Sequence, residues 1–289
     1  MRPIAVVTGT SSGIGFATAL HLASHGWFVF AGMRNLSKAK RLTDAAEGLP
    51  VTPIEMDVTD LDSISRAFNE VRNHGPIEGL VNNAGIGGAV PLEHTTDAEN
   101  RLLFETNYFG AVRCIQQVLP AMRERRHGVI VNVTSASGLF PWPNQACYAA
   151  SKWALEAIGL SLAHEVRRFG IRVVNVEPGA VATTEVHANA TERIRYDRNS
   201  PYQPIMRRNG KLIAAGVVHG TTEKDVAEVI LEAMTSTDDR PRWPVGPDAQ
   251  AIAASARTIS LHEWADLGRD IGDAEYNAWF EKHMGIKIP

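Results

Sequence analysis

Ile4-Ala5-Val6-Val7-Thr8-Gly9-Thr10-Ser11-Ser12-Gly13-Ile14-Gly15-Phe16 opens with an apolar run, passes through a glycine-rich turn and enters an amphipathic stretch. The run has the length of a buried strand. From Phe16 onward, apolar residues recur at three- and four-residue spacing, which predicts a helix over Gly15 to His25. Glycine at 9, 13 and 15 allows a tight turn and brings bare backbone close to a ligand. The free N–H groups and positive dipole end of the helix that follows suit a pyrophosphate. Gly9, Ser11, Ser12, Gly13, Ile14 and Gly15 are therefore candidate dinucleotide contacts. An ordinary glycine-rich turn is the competing reading, and placement directly after a first buried strand favours the site.

Similar apolar runs recur at Trp27 to Ala31, Val51 to Glu55, Gly79 to Val81, Val129 to Val133 and Ile171 to Val176. Helical patterns at Asp62 to Asn73, Glu99 to Arg125 and Tyr148 to Phe169 separate them. This alternation predicts a Rossmann-like α/β fold, a doubly wound parallel sheet with helices on both faces. One domain over residues 1–289 is expected. From about 184 to 222 the rhythm breaks into a polar, Arg-bearing stretch with Pro201, Pro204 and Gly210, which reads as a substrate lid. A C-terminal extension follows at about 248–289. Its helical pattern carries Trp264, Trp279 and Phe280, which need something to pack against.

The end of the second strand bears on cofactor choice. An NAD-preferring turn of this type places an acid about 20 residues on, against the ribose 2′-hydroxyl. Here Gly32-Met33-Arg34-Asn35 follows the strand, and the first carboxylate is Asp44. Arg34 would pair with a 2′-phosphate, helped by Ser11 or Ser12. NADP(H) is thus favoured, with NAD(H) the alternative and a solvated Arg34 the bland reading. Asp57, followed by Val58, ends the third run; it would accept from an adenine amino group or cap the next helix.

Tyr148 and Lys152 stand four apart and share a helix face. Tyrosine titrates near about 10, and a nearby cation lowers that by roughly 1–3. With the positive nicotinamide adding to Lys152, the phenol would approach the range where general acid–base work is efficient. Ser135 lies just past Val129 to Val133, at a strand end where open α/β sheets bind ligands. Its hydroxyl would hold a substrate oxygen; a plain turn serine is the other reading, and Ser137 is the weaker candidate. Asn107 sits in a helical pattern where asparagine is a mediocre helix former. It would hold a water that links Lys152 to solvent, or it is an exposed helix residue.

Together Thr8 to Gly15, Asn82-Asn83-Ala84-Gly85 and Tyr148-Ala149-Ala150-Ser151-Lys152 resemble the short-chain dehydrogenase/reductase family over most of the chain. The likeness is greatest to its 17β-hydroxysteroid and retinol dehydrogenase-like members. The resemblance implies Tyr148 as acid–base, Ser135 as carbonyl positioner, Lys152 on the nicotinamide ribose and Asn107 in a proton relay. It also implies that Asn83, Ala84 and Gly85 support the sheet and the adenosine side, and that Pro178, Gly179, Val181 and Thr183 cradle the carboxamide. Glu177 departs from the pattern, since many members carry Asn before Pro-Gly. Relatives are commonly dimers or tetramers, and a homodimer or homotetramer is expected.

Composition narrows the partners. The chain is 44% hydrophobic and 21% charged with a net charge of −3, so no field draws it to nucleic acid or anionic lipid. Cys114 and Cys147 are too few for a disulfide framework, and no cysteine–histidine spacing implies a metal. His21 and His25 read as helix surface. No run reaches the roughly 20 apolar residues of a membrane span, and a cytoplasmic location is expected. The expected activity is NADP(H)-dependent interconversion of a secondary alcohol and a ketone; a non-catalytic NADP(H) sensor or scaffold is the alternative, with an epimerase or dehydratase less favoured. Leu139-Phe140-Pro141-Trp142-Pro143 and Tyr202, Pro204, Ile205 and Met206 would form an apolar wall for a hydrophobic substrate, or simply pack their loops. Arg193, Arg195, Arg198, Arg207 and Arg208 are expected to face water.

Overall fold

A computed structural model describes residues 2–182, 197–218 and 221–288. Its seven strands are β1 (Ile4–Thr8), β2 (Phe28–Met33), β3 (Val51–Glu55), β4 (Ile77–Asn82), β5 (Gly128–Val133), β6 (Ile171–Pro178) and β7 (Arg242–Val245). All pair in parallel, in the order β3-β2-β1-β4-β5-β6-β7. The order reverses between β1 and β4, where connections leave to opposite sides and open a ligand crevice at the C-terminal strand ends.

The helices are α1 (Gly13–Ser24), α2 (Ala39–Ala46), α3 (Leu61–Arg72), α4 (Asp97–Phe104), α5 (Gly110–Arg125), α6 (Ala146–Val166), α7 (Gln203–Val218), α8 (Glu223–Thr235), α9 (Pro247–Ser255), α10 (Leu261–Asp266) and α11 (Asp273–Met284). Strand alternation sends Val7, Val29, Val131 and Val176 to one face, against Leu22 of α1 and Ile230 of α8. Val6, Phe30, Leu80 and Ile130 point the other way, onto Phe68 of α3, Val118 of α5 and Leu162 of α6. Near-continuous apolar strands follow from burial on both faces. Among the described residues no helix is long and apolar enough to cross a membrane.

Two elements depart from the sequence expectation. β7 carries Pro244, which lacks a ladder donor; it is an outer strand, as is β3 with Pro53, and an edge tolerates that loss. The stretch read as a lid contains the 16-residue helix α7. Pro204 falls in its first turn, where no N–H is needed, so the proline starts the helix instead of breaking it. Arg208 is buried and Arg207 is half-buried. They converge on Asp273 at the start of α11, with Arg207 Nη2 2.8 Å and Arg208 Nε 3.0 Å from Oδ1. Arg193 and Arg195 lie outside the described residues.

The extension finds its packing partner in the loop after Ser135. Phe140 is buried with its ring 4.7 Å from Trp264, and Trp142 stacks 6.0 Å from the fully buried Phe280. Of the two readings open for Phe140 and Trp142, loop packing is the one their contacts support. Tyr202 is likewise engaged: its hydroxyl donates to Glu93 at 2.6 Å.

Candidate active site

The glycine turn is built against the loop after β4. Gly9 and Gly13 have φ of +71° and +61°, a region that favours glycine. A Cβ at Gly15 would collide with Gly9 O and the Asn83 amide, and one at Gly9 would come 2.8 Å from Ala84 Cα. Asn83 Nδ2 donates to Thr8 O at 2.9 Å and to Gly9 O at 3.1 Å. Thr8 Oγ1 accepts from the N–H groups of Asn83 and Ala84. Ser12 precedes α1 in an extended conformation and makes no side-chain cap, which leaves the first N–H groups of α1 without a side-chain acceptor from Ser12. Ile14 packs against the core beneath.

Arg34 is exposed just beyond β2 and makes no hydrogen bond or ion pair with another described residue. Asp57 caps its own turn: Oδ1 accepts from Thr59 N at 2.9 Å and Thr59 Oγ1 at 2.7 Å, while Asp60 caps α3. Neither oxygen bond involves Oδ2. Val58 is buried, with its side chain and carbonyl oxygen against Gly110.

The proposed reacting groups come together at the ends of β4 and β5. Tyr148 hydrogen-bonds with Ser135, and Lys152 Nζ lies 6.0 Å from the Tyr148 ring centre. Burial holds the phenol above its ordinary pKa, and the Ser135 hydrogen bond offsets part of that. The Lys152 cation therefore does not by itself bring Tyr148 toward neutrality, as the spacing had suggested. Lys152 is also buried, donates to Val133 O at 3.0 Å, and is pushed down to about 8 by desolvation, against the opposing pull of Glu156. Ser137 donates to Gln145 at 3.2 Å and is occupied elsewhere.

Asn107 is buried, not exposed, and lies in a single π-turn over Glu105–Phe109 between α4 and α5. Such a turn shifts the helix register and is frequent at functional sites. Asn107 Oδ1 accepts from Ile86 N at 2.8 Å, and Nδ2 donates to Ile86 O and to Ser151 Oγ, each at 3.0 Å. A Cβ on Gly85 would stand 3.3 Å from Asn107 Oδ1 and 3.4 Å from Lys152 Nζ, so that glycine lets the two polar groups approach.

Past β6, Pro178 and Gly179 turn the chain beside Asp248 of α9. Ala180 N donates to Asp248 Oδ2 at 2.7 Å, and Val181 bridges to Thr221. Thr183 lies outside the described residues. Sequence reasoning missed Asp248, which lies far along the chain from the turn it supports, and the buried acid Glu156, for which its place four residues after Lys152 was the available signal.

Residues 3–194 match the short chain dehydrogenase family profile. The chain belongs to the short-chain dehydrogenase family, and its relatives are oxidoreductases. It is 36% identical to retinol dehydrogenase 8 of Homo sapiens over 250 residues, covering 80% of this chain and 78% of that one. Among solved structures, a short-chain dehydrogenase from Streptomyces avermitilis superposes with a TM-score of 0.79 at 31% identity, over 94% of this chain and 99% of that one. Actinorhodin polyketide ketoreductase with NADPH superposes with a TM-score of 0.74 at 27% identity, over 84% of this chain and 95% of that one.

Proposed function

We propose that this protein uses NADP(H) to interconvert a hydrophobic secondary alcohol and its ketone. The observation that carries the reading is the convergence of Ser135, Tyr148 and Lys152 at the strand ends beside the glycine turn. A bound nicotinamide supplies or accepts the hydride. Ser135 holds the substrate oxygen; Tyr148, kept as a neutral phenol by burial, donates its proton to that oxygen in reduction and takes it back in oxidation. Lys152 orients the ribose, and Asn107, fixed by three hydrogen bonds, carries the relay toward solvent.

Arg34, exposed at the β2 end and without a partner among the described residues, supports NADP(H) over NAD(H), in keeping with the NADPH-bound ketoreductase. An apolar cavity beside Cys147, lined by Ile86, Val90, Leu102 and Leu103, and the likeness to a retinol dehydrogenase support a hydrophobic substrate. Leu102, Phe109 and Trp153 are exposed around α4 to α6 and support assembly through that face. Replacing Tyr148 by Phe should lower kcat for NADPH-dependent reduction of a hydrophobic ketone by about 10²–10⁴-fold with NADPH affinity kept. A Tyr148→Phe enzyme as fast as wild type on every substrate would refute the assignment.

A further inference from the structure

Behind the reacting groups lies a second cluster of buried charge that the proposed chemistry leaves unexplained. Glu156 and Glu177 are both buried, on α6 and β6, and both approach Arg242, whose Nε is 3.0 Å from Glu156 Oε2 and 3.9 Å from Glu177 Oε1. Glu156 has three donors and one acceptor site to spare. Its Oε1 accepts from Thr134 Oγ1 at 2.6 Å, and its Oε2 from Asn175 Nδ2 and Arg242 Nε, each at 3.0 Å. Glu177 Oε2 accepts from Trp243 N at 2.8 Å, whereas Oε1 is buried with no donor and is 3.9 Å from Arg242 Nε. A carboxylate with three donors is stable as an anion. One buried beside another carboxylate is most stable carrying the proton and donating it to that neighbour.

The pair is wired to the reacting groups. Lys152 stands one helical turn before Glu156 on α6, and the two grip adjacent residues at the end of β5: Lys152 holds Val133 O and Glu156 holds Thr134, the residue before Ser135. Gly138, closing the Ser135 turn, sits on this same helix segment, where a Cβ would be 3.0 Å from Glu156 Cγ and 3.3 Å from Lys152 O. The charged or titratable groups facing Glu156 are Lys152 from α6, Glu177 from β6 and Arg242 from β7; the turn after β5 contributes only Thr134.

We propose that Glu156 and Glu177 share one proton, carried by Glu177, so that the Glu156 anion acts as a positioning residue that keeps Lys152 charged and the Ser135 turn in place. The pairing rests on the burial of both carboxyls, the donorless Glu177 Oε1 and their shared approach to Arg242, while its consequence for catalysis rests on the oxidoreductase reading above. Burial and the Glu156 charge push the Glu177 carboxyl up to about 9, in line with the missing donor at Oε1. A carboxyl raised on folding binds its proton more tightly in the folded chain. Its stabilising effect is therefore complete at acid pH and is lost as pH rises from the ordinary carboxylate range toward about 9.

The test compares wild type, Glu177→Gln and Glu156→Gln as full-length proteins, melted and assayed for NADPH-dependent ketone reduction from about pH 5 to about pH 9. Gln at 177 keeps a permanent donor, so its Tm relative to wild type should climb by about 2–4 °C or more across that range. Gln at 156 removes the anion, and the alkaline fall in kcat/KM should move to lower pH by about one pH unit. A Tm difference for Glu177→Gln that stays flat with pH overturns the shared proton, and an unmoved alkaline limb in Glu156→Gln overturns the positioning role. If Glu156→Gln does not fold, Glu156→Asp is read instead: it keeps the charge but withdraws from Thr134, so kcat/KM should fall with the alkaline limb in place, and an unchanged kcat/KM overturns the positioning role. A wild type that neither binds NADPH nor reduces a ketone defeats the oxidoreductase reading, while the Glu177→Gln melting curves still decide the pair.

Discussion

The two sides of the crevice are held by different kinds of force. On the cofactor side, backbone groups and short polar side chains do the work: Thr8 and Asn83 lace β1 to the loop after β4, and the glycines allow contacts no side chain would permit. On the other side, which we propose faces the substrate, large rings and ion pairs do it: Phe140 and Trp142 lie on Trp264 and Phe280, and α7 is pinned to Asp273 by Arg207 and Arg208. The cofactor side thus tolerates no added atom, and the substrate side no removed one. The first geometry serves a ligand of fixed shape, and the second can change by exchanging side chains.

The largest expected effect comes from emptying the aromatic cluster. Phe280 is fully buried, and Phe280→Ala should cost about 3–5 kcal/mol of stability, read by denaturant unfolding. NADPH affinity should hold while KM for the ketone rises, because the Ser135 loop loses its support. Loss of NADPH binding in the folded variant would break the division between the two sides. Gly15→Ala makes the opposite experiment. The added methyl meets Gly9 O and Asn83, costs about 1–3 kcal/mol, and should weaken NADPH binding in a fluorescence titration while leaving the C-terminal cluster packed. A smaller effect is expected from acid. The Arg207 and Arg208 guanidiniums hold the Asp273 carboxyl well below the usual carboxylate range, so this contribution is present above that range and lost as pH falls below it. Melting curves of wild type and Asp273→Asn should therefore converge at the acid end; curves that stay parallel would show that the ion pairs do not hold α7.

The cofactor side was the more legible in sequence for the same reason. Glycine spacing, a strand before it and Tyr148 four residues from Lys152 are local patterns, and the fold places them where their spacing implies. The substrate side depends on partners far apart in the chain, such as Arg207 with Asp273, and on Phe140 meeting Trp264; no periodicity announces such pairs. Pro204 belonged to a stretch that broke the strand–helix rhythm, yet it sits in a first helical turn, where a missing N–H costs little. Asn107 was legible as an oddity but not as a π-turn, because its register depends on what Ile86 and Ser151 offer it.

The most direct test of the account is a titration of NADPH and NADH into the purified protein, followed by energy transfer from its six tryptophans and repeated with Arg34→Ala. The account predicts tighter binding of NADPH than NADH, and a loss of about 10–100-fold in NADPH affinity, with NADH unchanged, when Arg34 is removed. Equal weakening of both nucleotides, or no binding of either, would contradict it.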